Sequence, residues 1–308
     1  MTLLRIATRG SDLALWQARH VAARLEETLG AKTELVPLTT TGDRLRDVSL
    51  AKLGGKGLFV KEIEEALLDG RADVAVHSAK DLPGVSPPEL AFAAFPERAD
   101  PRDALVSRGG EALEALRRGA RVGTGSVRRA AQLRRARPDL EIVPLRGNVP
   151  TRLAKVGAGL DAVVLACAGL DRLALAERIA ERIDPALLLP AVGQGALAIQ
   201  CRRDGGLASR LALLGDAETT TCVAAERACQ ARLGADCNVP LGAHAVLEPD
   251  GSVFLRARLL DPGGAEPIER EGREVAKHVD TLGRRVAEEL LAAGGDALLA
   301  RLRSEGDS

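Results

Sequence analysis

One thiol sits among loop-forming residues: Cys237, in Gly234-Ala235-Asp236-Cys237-Asn238-Val239-Pro240-Leu241-Gly242. A thiol there can bond covalently to a ligand if it is exposed and its thiolate is stabilised; otherwise it is structural or incidental. With Cys167, Cys201, Cys222 and Cys229 the cysteines total five, an odd number with no CxxC pair, so neither a disulfide framework nor a zinc site is expected. Cys222 and Cys229 lie seven apart in a helical-looking segment, where they share a face and are expected to be buried. Asp81 follows Lys80 in His77-Ser78-Ala79-Lys80-Asp81-Leu82-Pro83. It is either a turn-forming or ion-paired aspartate, or a catalytic carboxylate held at the C-terminal edge of a sheet. His77 and Ser78 do not make a hydrolase, because neighbours on a strand point to opposite faces and no GxSxG elbow is present.

A second chemistry is anion recognition. In Gly123-Thr124-Gly125-Ser126-Val127-Arg128-Arg129, Ser126 is a helix cap, and Arg128 and Arg129 fall in the first turn, where the macrodipole disfavours cations. An anionic ligand resolves that conflict; a solvated face is the plain alternative. Arg146 and Arg152 flank another strand-to-helix turn, Arg172 follows a third, and Arg9 and Ser11 stand at the first. The chain has 36 Arg and 7 Lys, so each arginine alone is weak evidence. Lysine is rarer, and Lys52, Lys56, Lys61 and Lys80 cluster within one short stretch. Neither glycine-rich turn completes a dinucleotide or Walker fingerprint.

The elements that must position these groups alternate in type. Leu3 to Ala7 reads as a strand, Ser11 to Gly30 as a capped helix, Thr33 to Leu38 as a strand, Leu58 to Leu68 as a helix and Ala72 to Val76 as a strand. Beyond the charged stretch at 96–102, strands at Arg121 to Gly123, Glu141 to Leu145 and Ala162 to Ala166 alternate with helices at Ser126 to Arg135 and Val149 to Val156, which predicts a largely parallel sheet. From Asp216 the order changes to a long helix ending at Leu233, strands at His244 to Leu247 and Val253 to Leu260, and a helix from Val275 to Leu291, a third unit of α+β type.

Composition bounds the function. The 308 residues carry 43 basic and 43 acidic side chains, so nucleic acid is not an expected partner and any anion binding must be local. No apolar run reaches ~18 residues and the start lacks the pattern of an export signal, so a cytoplasmic protein without membrane contact is expected.

Together the motifs Arg5-Ile6-Ala7-Thr8-Arg9-Gly10-Ser11, Leu53-Gly54-Gly55-Lys56-Gly57-Leu58-Phe59, Val76 to Pro83, Gly123 to Arg129, Arg146-Gly147-Asn148-Val149 and Pro190-Ala191-Val192-Gly193-Gln194-Gly195 resemble those of the porphobilinogen deaminases, or hydroxymethylbilane synthases. The match runs in order over nearly the whole chain and ends with the Cys-x-Val-Pro loop. The resemblance implies an α/β fold of two periplasmic-binding-protein-like domains with a cleft between them, plus a smaller C-terminal α+β domain. The implied boundaries are 1–96 plus 197–213, 101–191 and 216–308. It further implies a monomeric transferase that joins four porphobilinogen molecules head to tail, releases ammonia, and passes hydroxymethylbilane to the next tetrapyrrole-pathway enzyme.

By the same resemblance a dipyrromethane cofactor is held by a thioether to Cys237, and Asp81 is catalytic. Arg9, Ser11, Lys80, Ser126, Arg128, Arg129, Arg146, Arg152 and Arg172 bind carboxylates of cofactor and substrate. Lys52 and Lys56 belong to an active-site loop with Phe59, which either stacks on a pyrrole or packs in the core, and Gln194 lines hinge and cleft. No metal is implied. Two departures stand out: Asp236 precedes the cysteine where small residues are common, and would oppose thiolate formation; Pro150 follows Arg-Gly-Asn-Val but suits a first helical turn. The competing class is a non-catalytic two-domain protein that closes on an anionic small molecule; it needs neither Cys237 nor Asp81.

Overall fold

The computed structural model of the protein describes residues 3–44, 60–236 and 238–306. Cys237, Lys52, Lys56 and Phe59 lie outside the described residues.

The chain begins with β1 (Leu3–Arg9), α1 (Asp12–Leu29), β2 (Lys32–Leu38), α2 (Thr41–Arg44), α3 (Lys61–Leu68), β3 (Val74–Ser78) and β4 (Leu90–Ala94). Ser11 caps α1 by accepting the Ala14 N–H, and Gly30 ends it in the left-handed conformation, as expected from the sequence. The helix buries Ala18, Val21 and Leu25 against apolar residues of β1 and β3. The next stretch contains β5 (Asp103–Ser107), β6 (Arg121–Thr124), α4 (Val127–Ala136), β7 (Glu141–Pro144), α5 (Val149–Leu153), β8 (Ala162–Ala166), α6 (Cys167–Arg172) and β9 (Glu181–Ile183). The chain then forms β10 (Leu197–Arg202), α7 (Leu207–Leu211), α8 (Ala217–Leu233), β11 (Leu241–Leu247), β12 (Ser252–Leu259), β13 (Ile268–Val275), α9 (Val279–Leu290) and α10 (Asp296–Gly306).

Three sheets result, with orders β2-β1-β3-β10-β4, β7-β6-β8-β5-β9 and β11-β12-β13. The expected class, two α/β units and a smaller α+β unit, is present. The second sheet is not largely parallel: β6 pairs parallel with β7 and β8, whereas β5 pairs antiparallel with β8 and β9. The first sheet repeats this mixture, with β10 antiparallel to β3 and β4. The reason is the route of the chain. In each sheet the fourth strand arrives directly from a segment crossing between the sheets, with no helix to return it in the parallel sense. The last predicted helix also starts later than expected, at Val279, because Val275 ends β13.

The two crossing segments, 96–102 and 190–196, touch. Gly195 (φ +89°) has no room for a Cβ, which would stand 2.3 Å from the Ala99 oxygen; at Gly193 (φ +65°) a Cβ would stand 2.9 Å from that of Ala79. Beside them, Glu226 on α8 is fully buried and meets Arg98 at 2.7 Å. Its carboxylate also accepts the Gly193 and Ala245 N–H groups at 2.7 and 2.8 Å. One side chain therefore joins both crossings to the third sheet. Glu226→Ala strands the Arg98 guanidinium and two N–H groups and is expected to cost about 3–5 kcal/mol. Denaturant unfolding at unchanged m-value measures this, and a wild-type midpoint would refute the role given to the pair.

Candidate active site

Asp81 stands at the end of a single helical turn, Ala79–Asp81, that leaves the carboxyl end of β3. The turn is clamped. Ala79 donates its N–H to the Ala196 oxygen, and Ala79 and Leu82 pack with Ala196, Ala198 and Val223 of α8. Asp81 lines a cavity of about 70 Å³ with Arg9, Ser11, Gln17, His77 and Ser78. Three of the residues singled out in the sequence, Arg9, Ser11 and Asp81, are thus brought together. Gln17 and His77 are additional. Gln17 is buried and donates to the Ser78 hydroxyl at 2.9 Å, and His77 bonds Gln200 at 2.9 Å, which in turn donates to the buried Glu64. Burial lowers the His77 pKa to about 4, so this imidazole is neutral at physiological pH. His77 and Ser78 have separate partners, which closes the Ser–His reading.

Cations converge from the elements of both sheets. Lys80, beside Asp81, has its pKa lowered to about 8, first by burial and then by the nearby Arg129. Arg152 lies in α5 and donates to the Gly147 oxygen at 2.7 Å. Its pKa is lowered by burial and by Arg129, a shift that Asp81 opposes and Arg146 reinforces, so these four groups sense one another across the cleft. Arg146 is exposed. Gly125 has its Cβ position 2.4 Å from the Leu145 oxygen, a closeness that holds the turn before α4 against the one before α5. Arg172, on α6, donates to the Gly195 oxygen at 2.7 Å and lies over the Trp16 ring at 5.9 Å. Burial lowers its pKa to about 10. Pro150 falls in the first turn of α5 behind the Asn148 cap, where its missing N–H costs nothing.

Ser126 caps α4 as predicted, accepting the Arg129 N–H at 3.4 Å. The anion that the adjacent arginines require is supplied by the protein. Arg128 and Arg129 are buried and both meet the Asp103 carboxylate, at 2.8 and 2.7 Å. Arg128 also donates to the Leu189 oxygen at 2.5 Å, and Gln194 donates to Asp103 at 2.8 Å and to the Pro101 oxygen at 2.6 Å. Gln194 therefore sits at the crossings, fully buried. Asp103 is absent from the sequence reading because Asp100-Pro101-Arg102-Asp103 looks like a charged linker, and nothing local separates the fully buried Asp103 from the half-buried Asp100. Gln17 carried a faint signal, as a polar residue on the apolar stripe of α1.

The loop of Cys237 is held at both ends. Gly234 terminates α8 in the left-handed conformation, and Asp236 accepts the Asn238 N–H at 2.9 Å, an Asx turn that gives this acidic departure a local role. Leu260 donates its N–H to the Pro240 oxygen, and Ala243 donates to the Pro190 oxygen, adjacent to the Leu189 carbonyl that holds Arg128. Cys222 and Cys229 are buried, as expected, and burial raises their thiols to about 11 and about 12. Among the described residues no cluster could hold a metal ion, and no helix is long and apolar enough to cross a membrane. The donor set of guanidiniums and one ammonium facing Asp81 fits a polycarboxylate ligand.

Residues 4–212 match the family model described as porphobilinogen deaminase, dipyromethane cofactor binding domain, and residues 220–292 match the porphobilinogen deaminase C-terminal domain. A porphobilinogen deaminase of Syntrophotalea carbinolica is 52% identical over 97% of this chain and 96% of that protein. One of Xanthomonas euvesicatoria pv. vesicatoria is 51% identical over 98% and 100%, and one of Chromobacterium violaceum 49% identical over 99% of each. Among solved structures, the periplasmic VFT2 domain of Bordetella pertussis BvgS aligns over 69% of this chain and 85% of that one, at 19% identity and a TM-score of 0.40, a likeness on which no argument rests. Matched over both of its conserved parts and at about half identity over its length, the chain belongs to the porphobilinogen deaminase family.

Proposed function

We propose that this protein condenses four porphobilinogen molecules head to tail, with release of ammonia, into hydroxymethylbilane, and that Cys237 carries the dipyrromethane that primes the chain. The observation that carries this reading is the gathering of cations around Asp81 in a chain whose 43 basic and 43 acidic residues balance. A growing chain of pyrroles bearing acetate and propionate groups needs such a site. The residues present fit the cofactor, since its carboxylates match the guanidiniums of Arg9, Arg146, Arg152 and Arg172 and the Lys80 ammonium, with Ser11 and Ser126 as further donors. When bound, the dipyrromethane supplies the free pyrrole carbon at which extension begins. Arg128 and Arg129 take part from the mouth of α4 while paired with Asp103.

Asp81 binds pyrrole N–H groups, stabilises the positive charge that develops as ammonia leaves, and accepts or returns protons at its carboxylate oxygens. His77, neutral and tied to Gln200, holds the wall behind it without exchanging protons near pH 7. Lys52, Lys56 and Phe59, which lie outside the described residues, are assigned to the active site by the family resemblance. The division into 1–96 plus 197–213, 101–191 and 216–308 is supported by the membership of β10 in the first sheet and by the continuous run β5 to β9 in the second. A monomer in the cytoplasm, handing its product to the next tetrapyrrole-forming enzyme, completes the reading.

Intact mass tests the primer. Wild type should exceed its sequence mass by two linked pyrrole units, and Cys237→Ser should not; an unmodified wild type inert toward porphobilinogen would restore the binding-protein alternative. Asp81→Asn is expected to lower kcat by ~10²–10⁴-fold with an unchanged unfolding midpoint, and near-wild-type turnover would return Asp81 to a turn-forming role. A third expectation concerns pH. Lys80 loses its charge as pH rises through about 8, so KM for the anionic substrate should climb above that value. The depressed pKa works against folding below about 8, and that penalty fades as pH rises toward the unfolded lysine value of ~10.4. Lys80→Arg, charged throughout, should flatten the alkaline rise in KM; the same rise in both proteins would assign it elsewhere.

A further inference from the structure

We infer that Asp103 is a positioning residue that sets the relation between Asp81 and the arginine pair Arg128–Arg129 across the cleft; the inference rests on the porphobilinogen reading. Asp103 is the first residue of β5 and follows directly on the first crossing, yet it is 0% exposed. Each carboxylate oxygen has a separate task. Oδ2 meets Arg128 Nη2 at 2.8 Å, and Oδ1 receives Arg129 Nε and Gln194 Nε2, both at 2.8 Å. Gln194 belongs to the second crossing and donates to the Pro101 oxygen of the first, and its Oε1 faces Arg129 Nη2 at 3.3 Å. The residues on either side of Gln194 grip the Asp81 turn: Gly193 packs on Ala79, and Ala196 accepts the Ala79 N–H.

A short hydrogen-bonded path therefore runs from the Asp81 turn through the second crossing to Gln194, Asp103 and both guanidiniums. Two buried arginines have one carboxylate between them, so the cluster keeps an excess of positive charge. Arg128 is further fixed by the Leu189 oxygen, beside the segment that holds the far end of the Cys237 loop. A structural ion pair needs only to be satisfied. This one also joins the two crossings to two candidate ligand-binding side chains, so a change at Asp103 shifts where the arginines stand relative to Asp81.

Asp103→Asn keeps the shape of the side chain and removes its charge. Expected are a KM for porphobilinogen raised roughly tenfold, the scale of one weakened charge-assisted hydrogen bond, and an intact-mass ladder in which early covalent intermediates accumulate. Leu105→Ala, buried on the same strand, serves as the control: it should lower the unfolding midpoint and leave KM and the ladder as in wild type. Adding Gln194→Glu to Asp103→Asn returns a carboxylate from the other crossing, within reach of Arg129, and should recover part of the lost KM. If Asp103→Asn does not accumulate as folded protein, the double variant is read alone, and a KM above wild type is expected from it. A wild-type KM and ladder in Asp103→Asn, or in the double variant where it is read alone, or the same defect in Leu105→Ala, would overturn the assignment while leaving the deaminase reading intact. A wild type that neither carries the added mass nor consumes porphobilinogen overturns both.

Discussion

Glu226 lies on α8 out of reach of water, where Arg98 and two backbone N–H groups take the place of hydration around its side chain. Those partners come from the first crossing, the second crossing and β11, so the geometry that satisfies one charge also fixes where three sheets meet. Arg98 extends the tie by donating its Nε to the Gln194 oxygen, and its N–H to Thr219 of the same helix. The Asp81 turn rests against this junction through Ala79, Leu82 and Val223. The carboxylate proposed as catalytic is thereby held by packing on one side and left open to cations on the other.

Charge is distributed in the same spirit. The whole chain is neutral, and many arginines pair with nearby acids, as in the cross-strand pairs Arg256–Glu271 and Arg258–Glu269 along β12 and β13. Around Asp81 the balance tips toward cations, and burial lowers the pKa values of Lys80 and Arg152 there, as it does that of Arg172 on α6. Groups whose charged forms are disfavoured alone are stabilised by a polyanion, which turns the cost of burying them into affinity for carboxylates.

The elements legible from sequence were those with local signals: α1 between its Ser11 cap and Gly30 stop, α4 behind Ser126, and the apolar strands β1, β3 and β8. The strands that escaped notice, β4, β5, β9 and β10, are short and find their partners across long stretches of chain, as when Cys201 pairs with Val74 and Ala91. β13 is hidden for a different reason, since Ile268–Val275 carries charges suited to an exposed edge and shows no clear apolar alternation. The motifs around Asp81, Ser126 and Arg152 were readable because strand-to-helix turns advertise themselves through Ser, Asn, Gly and Pro. Asp103 and Gln194 owe their roles to contacts spanning 25 to 93 residues, which no local pattern encodes.

The order of the first sheet carries a consequence for how the chain is made. Among the described residues β4 has one neighbour in its sheet, β10, and β3 meets β10 on the side away from β1. Translation produces Leu90–Ala94 long before Leu197–Arg202, while every strand of the second sheet lies between them. A nascent chain therefore completes the second sheet while the first still waits with an open edge and an unpaired strand. During that interval the half of the protein that bears Asp81 is the part most exposed to wrong pairing, and it is closed by residues that emerge just before α8.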